Sequence, residues 1–141
     1  MINEKSAGVI IFIKEKEIKY LLLHYGLGHW EFVKGKIENN ENDKETIIRE
    51  AKEEVNIEDL KFIPGFKEKI QFFYKKDKEL VKKEVIYYLA ETKTKEVKLS
   101  FEHINYKWLN YEEALKQLTF KNSKEILKKA HEMLTSSLLN Y

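Results

Sequence analysis

Cysteine is absent from the 141 residues, proline occurs once at Pro64, and glycine occurs five times. Without cysteine there is no disulfide framework, no thiolate zinc site and no cysteine nucleophile. So little proline and glycine leaves no material for a flexible join. No low-complexity stretch or internal repeat interrupts the chain, and residues 1–141 read as one domain. Apolar runs fall far short of the roughly 20 residues that cross a bilayer. The opening Met1-Ile2-Asn3-Glu4-Lys5 lacks the basic-then-apolar pattern of a secretory leader. A soluble, cytoplasmic protein with no membrane partner is expected. Arginine is nearly missing as well: Arg49 is the single arginine among 26 basic residues.

What the chain does contain is a core. Hydrophobic residues make up 43% and aromatics 13%, enough apolar surface for a domain of this size to fold without staples. Charged residues reach 35% but the net charge is only +2, so no bulk field selects nucleic acid or membrane. Ser6 to Lys14 and Ile18 to Tyr25 are apolar and rich in β-branched residues, and the charged Glu15-Lys16-Glu17 between them predicts a hairpin. Gly26-Leu27-Gly28 predicts a loop and Trp30 to Val33 a short strand. Asn39 to Asp43 is turn-forming, after which Thr46 to Val55 takes helical period with Ile47, Ile48, Ala51 and Val55 on one face. Leu60 to Tyr74 and Val81 to Glu91 read as long strands joined at Lys75-Lys76-Asp77-Lys78, and Tyr106 to Leu109 as a short one. Two helices close the chain, Tyr111 to Leu118 and Asn122 to about Leu138, the second with Ile126, Leu127, Ala130 and Leu134 as its buried stripe. The order β-β-α-β-β-β-α-α predicts a mixed α/β domain with helices packed on a sheet.

Gly35, Glu41, Arg49, Glu50, Glu53 and Glu54 carry the chemistry. On a helical wheel the last three fill an arc of about 100° beside the apolar arc. Like charges at i,i+3 and i,i+4 destabilise a helix by a few tenths of a kcal/mol per pair. A bound divalent cation reverses that sign, and hard ions such as Mg²⁺ take carboxylate oxygens, water and substrate phosphates. Arg49 stands four residues before Glu53 and four after Glu45. Its planar guanidinium can fix a carboxylate by paired hydrogen bonds, which lysine cannot do.

The segment from Gly35 through Glu41 to Arg49, Glu50, Glu53, Glu54 and Ile57 resembles the Nudix box. That resemblance implies a Nudix fold, a mixed β-sheet sandwiched between helices as an α/β/α sandwich. It also implies Mg²⁺ (or Mn²⁺) as cofactor and hydrolysis of a phosphoanhydride bond in a nucleotide. By the same match Glu50, Glu53 and Glu54 would hold metal with help from the main-chain carbonyl near Gly35, Arg49 would orient a metal-binding glutamate, and Glu41 would brace the loop. Asn56 stands where the box has glycine, and asparagine is the next-best residue for a left-handed C-cap. Asn39-Asn40 replaces a usual Pro-Gly and keeps turn geometry; Val33 replaces a proline.

The chain is also similar, nearly end to end, to the small diadenosine tetraphosphate hydrolases, through Ser6 to Phe12, His29-Trp30, Val85 to Ala90, Leu99 to His103, Tyr106 to Leu109 and Phe120-Lys121. Lys36 departs from that group, which commonly has histidine there. The resemblance implies asymmetric cleavage of diadenosine tetraphosphate to ATP and AMP. Glu102 would reach the metal site as ligand or general base, and either Glu54 or Glu102 would take the proton from attacking water. Tyr87 and Phe120 would clamp the base, and Lys34 and Lys83 would neutralise the phosphates. Each has a plainer reading: a loop carboxylate, core aromatics, solvated lysines. His29 and His103 lack metal-ligand spacing, and Trp30 reads as core or pocket wall. The alternatives are a pyrophosphohydrolase acting on RNA 5′ ends, a nucleoside triphosphate pyrophosphatase, and a nucleotide sensor without chemistry. A monomer or homodimer is expected.

Overall fold

A computed structural model describes residues 1–139. The chain runs β1 (Ile2–Lys14), β2 (Ile18–Tyr25), β3 (Trp30–Glu31), β4 (Val33–Lys36), α1 (Asp43–Val55), β5 (Lys61–Phe62), β6 (Glu68–Lys76), β7 (Glu79–Glu91), β8 (His103–Asn110), α2 (Tyr111–Gln117) and α3 (Lys121–Leu139). The eight strands form one mixed sheet. At its centre β1 runs parallel to β7 from Ile2↔Val81 to Phe12↔Glu91. Its other edge pairs antiparallel with β4 through Ser6↔Lys36 to Val9↔Val33, then with β2 through Phe12↔Tyr20 to Lys14↔Ile18. The expected hairpin at Glu15-Lys16-Glu17 is present.

Burial on both faces explains why β1 reads as an unbroken apolar run. Its odd residues Ala7, Val9 and Ile11 pack with Ile47, Ala51 and Val55 of α1. Its even residues Ile10 and Phe12 join Ala114 of α2 and Ile126, Leu127, Ala130 and Leu134 of α3. The sheet is therefore the middle of an α/β/α sandwich, and the buried stripe of α3 is the one its 3.6-residue period predicts. No helix among the described residues is long and apolar enough to cross a membrane.

Three details differ from the sequence expectation. The single strand from Leu60 to Tyr74 is two, β5 and β6, because Pro64 and Gly65 interrupt the ladder; Gly65 has φ of 90°, a left-handed conformation that favours glycine. Both pieces still pair with β7. Trp30 to Val33 likewise divides, β3 pairing β2 and β4 pairing β1, with buried Phe32 at the corner. Ile48 does not belong to the buried face of α1: it is 52% exposed, and Glu54 completes the inward stripe instead.

Candidate active site

The loop from Lys36 to Asn42 and helix α1 form one hydrogen-bonded unit. Asn42 caps α1, its side chain accepting from the Glu45 N–H while the Glu45 carboxylate accepts from the Asn42 N–H. Asn40 takes φ of 69°, as its turn position requires. At the far end Asn56 adopts φ 58°, ψ 39° and its N–H reaches Lys52 O at 3.1 Å. It is the left-handed cap expected from the sequence.

Arg49 is the centre of the unit. Its Nε donates to Glu41 Oε2 at 2.6 Å and its Nη2 to Glu41 Oε1 at 3.0 Å, a bidentate pair. Nη1 donates to Glu50 Oε1 at 2.7 Å and to Glu53 Oε2 at 3.3 Å, and Nη2 also reaches Lys36 O at 3.0 Å. One guanidinium thus ties the loop to two carboxylates of the helix. Hydrogen bonding from Arg49 holds the Glu41 carboxyl down at about 2, so Glu41 stays an anion and keeps its grip.

Glu50 lies flat against β4 because residue 35 has no side chain. A Cβ at Gly35 would stand 2.1 Å from the Glu50 carboxyl carbon. Burial raises the Glu50 carboxyl, against the opposing pull of Arg49. Glu54, 5% exposed, is pushed up to about 7 by burial and by Glu50, with His103 working the other way. Its Oε1 is held by His103 Nε2 at 2.8 Å, while its Oε2 is buried with no partner. An orphaned buried carboxylate oxygen is costly, and the Glu54 side chain that carries it belongs to the wall of a cavity of about 260 Å³, lined by Glu50, Glu53, Glu54, Ser100, Phe101 and Glu102. Glu102 therefore faces the helix carboxylates across a cleft. Among the described residues, no three carboxylate or imidazole groups already close on one point. An oxygen-only donor set with one oxygen unsatisfied fits a hard divalent ion better than it fits zinc or copper.

The basic and aromatic groups lie alongside. A second cavity, about 240 Å³, is lined by Glu31, Lys34, Ile70, Phe72, Phe120, Asn122 and Ser123. Lys34 Nζ stands 3.9 Å from Glu31 Oε2. Glu31 itself is buried; Oε1 accepts from the Phe32 N–H at 3.0 Å and Oε2 from the Ser123 hydroxyl at 2.6 Å. Lys83 is pulled below the usual lysine range by burial and by Lys34 and Lys36, with Glu4 opposing. The three lysines therefore feel one another's charge.

Tyr87 is not on this cavity. It is fully buried, stacked edge-on to Phe32 at 5.9 Å, with its ring lying over Gly8. The expected clamp partner Tyr87 is therefore not exposed to the cavity in this structure; the strand aromatic that shares it with Phe120 is Phe72, 39% exposed on β6. Alternation along a strand could not tell the sequence reader which aromatic faced the cavity, because both faces of β7 are covered.

The sequence also passed over two histidines. His103 is set against Glu54 by the pairing Tyr25↔His103, and Tyr25 meets its ring edge-on at 4.5 Å. His29 stacks on Tyr25 at 4.8 Å and stands 5.3 Å from Phe120. Phe120, His29, Tyr25 and His103 thus form a continuous row from the aromatic cavity to Glu54. No local spacing announces such a row, since long-range strand pairing assembles it.

A carboxylate helix entered from a glycine-bearing strand, in an α/β/α sandwich, is an arrangement suited to a hard divalent ion. The NUDIX domain matches residues 3–130, and the chain belongs to that family. The bis(5′-nucleosyl)-tetraphosphatase [asymmetrical] of Mus musculus is 37% identical, over 94% of this chain and 97% of its own length. An Ap4A hydrolase of C. elegans, solved as a binary complex, superposes with a TM-score of 0.83 at 33% identity, covering 94% of this chain and 98% of that one. An 8-oxo-dGTP diphosphatase of Buchnera aphidicola is 36% identical over 70% of this chain and 72% of its own.

Proposed function

We propose that the protein is a Mg²⁺-dependent pyrophosphohydrolase that cleaves diadenosine tetraphosphate asymmetrically to ATP and AMP. The observation that carries this reading is the pairing of two sites: a carboxylate cleft with an unsatisfied Glu54 oxygen, and an aromatic cavity with lysines beside it. Similarity to asymmetrical tetraphosphatases over 94% of the chain supports the substrate.

In this reading one adenine enters between Phe72 and Phe120, where stacking contributes about 1–3 kcal/mol. Lys34, Lys36 and Lys83 neutralise the phosphate chain. Glu50, Glu53 and Glu54, with the Gly35 carbonyl and Glu102, would hold the cation. When bound, the cation supplies charge neutralisation at the phosphoryl oxygens and acidifies water. Arg49 keeps Glu50 and Glu53 in place, as a positioning residue. Glu54 Oε2, buried and without a hydrogen-bond partner, is suited to receive a proton from the attacking water, since His103 keeps Oε1 occupied. Glu102 contributes from the opposite wall.

The test is a panel of diadenosine tetraphosphate, nucleoside triphosphates and 5′-triphosphorylated RNA, each incubated with and without Mg²⁺, with products separated by chromatography. ATP and AMP in equal amounts, only with the cation, are expected. Preferred release of pyrophosphate from a nucleoside triphosphate would replace this reading with the second one, favoured by the similarity to the 8-oxo-dGTP diphosphatase.

A further inference from the structure

In and around the segment that carries Glu102, three apolar side chains are exposed that the core does not explain. Phe101 is 97% exposed, Leu27 93% and Ile104 63%. Phe101 lines the same cavity as Glu50, Glu53, Glu54 and Glu102. Leu27 comes from the loop between β2 and β3, which abuts the Phe101 segment: a Cβ on Gly26 would stand 3.7 Å from the Glu102 carbonyl oxygen. The segment is held from within by the His103 N–H bond to Ser100 O and the Ser100 N–H bond to Glu54 O. Phe101 is thus presented on an anchored turn. Single exposed apolar residues are ordinary. Phe101 lines the charged cleft itself and Leu27 stands on a segment that abuts it, an exposed apolar pair of the kind that marks a binding surface.

The order of groups along the molecule identifies the occupant. The aromatic cavity of Phe72 and Phe120 is linked by the row His29, Tyr25 and His103 to the carboxylates, and Phe101 lines the carboxylate cavity rather than the aromatic one. If one nucleoside occupies the cavity and the scissile linkage sits at the carboxylates, the second nucleotide must lie on the far side of the cut. Phe101 is the exposed aromatic on the carboxylate cavity. We infer that Phe101, with Leu27 on the adjoining loop, is the docking platform for the purine base of the nucleotide beyond the scissile bond. It sets the preference for dinucleoside over mononucleoside polyphosphates. This rests on the dinucleoside reading above and adds a residue for its second half.

A base has a π-face whatever its identity, so stacking on one exposed ring tolerates adenine or guanine and needs no polar reader. The platform therefore discriminates by the presence of a second base. Adenosine 5′-tetraphosphate offers the same first base and the same phosphates without it.

The test compares kcat/KM for diadenosine tetraphosphate and for adenosine 5′-tetraphosphate, with Mg²⁺, in the wild type, Phe101→Ala, Phe101→Trp and Leu27→Ser. The ratio of the two should fall about tenfold or more in Phe101→Ala, through KM for the dinucleotide, and should recover in Phe101→Trp. Leu27→Ser should lower it by a smaller factor. Because Phe101 is almost wholly exposed, folding is not at issue, and thermal unfolding of each variant checks that. An unchanged ratio in Phe101→Ala overturns the inference, as does a fall that Phe101→Trp does not restore. A wild type that hydrolyses adenosine tetraphosphate but not the dinucleotide overturns the dinucleoside reading itself, an outcome visible before any variant is made.

Discussion

At the scale of single residues, the site depends on an atom that is missing. Gly35 has no Cβ, and the space that Cβ would fill holds the Glu50 carboxyl group. No rotamer of Glu50 can keep that position against a methyl group 2.1 Å from its carboxyl carbon. Gly35→Ala should therefore swing Glu50 out of the cleft and break its bond from Arg49 while leaving the antiparallel pairing Ala7↔Gly35 intact. A displacement of about 1 Å at a reacting centre costs roughly a hundredfold in rate. We expect kcat to fall by about that factor with a thermal midpoint within a few degrees of wild type, on the order of 1 kcal/mol for a domain this size. Unaltered kcat would show that Glu50 is not held where the chemistry needs it. Glycine at position 35 was legible in the sequence as part of a motif. Its reason, the carboxylate lying on it, was not, because the contact joins residues from a strand and a helix.

At the scale of elements, the loop before α1 and the helix itself are joined by Glu41. Its carboxylate takes two bonds from Arg49, one from the Glu38 N–H at 3.0 Å and one from the Thr46 hydroxyl at 2.9 Å. These bonds favour the charged form and hold the group at about 2, below its ordinary 4.5. A carboxyl depressed on folding adds stability that is fully present above the unfolded value and is lost as pH falls through the folded one. Glu41→Gln should therefore melt below wild type at neutral pH, with the gap closing between pH 4.5 and about 2, followed by thermal unfolding at a series of pH values. A gap that stayed constant down to the acid end would mean that Glu41 stabilises by shape and not by charge. The helix this loop enters was readable almost to the residue, because its caps are local chemistry: Asn42 with Glu45 at the start, Asn56 in left-handed conformation at the end. Ile48 was misplaced because an apolar residue next to the stripe looks the same as one in it. The strands were less legible. Pro64 and Gly65 divide one expected strand into β5 and β6, and the Asp77-Lys78 turn, with φ of 50° and 71°, brings β6 back beside β7.

For the molecule as a whole, the sheet serves two layers, and the face a strand residue takes decides whether it binds or packs. Tyr87 and Phe72 are both aromatic, both on neighbouring strands and both turned toward the α3 layer. Tyr87 sits at the sheet centre, where β1 supplies only Gly8 opposite it, and its ring fills that gap. Phe72 is on β6, the outer partner of β7, paired with Lys83 and half open to the cavity beside Phe120. Sheet order separates them, and sheet order is what a single sequence conveys least, because it is fixed by pairings such as β1 with β7 across more than 70 residues. The consequence is a pair of opposite outcomes. Phe72→Ala and Phe120→Ala should each raise KM for the nucleotide about tenfold with little change in kcat, the signature of lost binding common to ground and transition states. Tyr87→Phe should leave KM alone and raise stability by up to about 1 kcal/mol, because it removes a buried hydroxyl that has no hydrogen-bond partner. Steady-state kinetics and urea unfolding measure the two halves. A KM that rises in Tyr87→Phe and not in Phe72→Ala would return the base to the tyrosine, and would require the sheet centre to open around Gly8 when substrate binds.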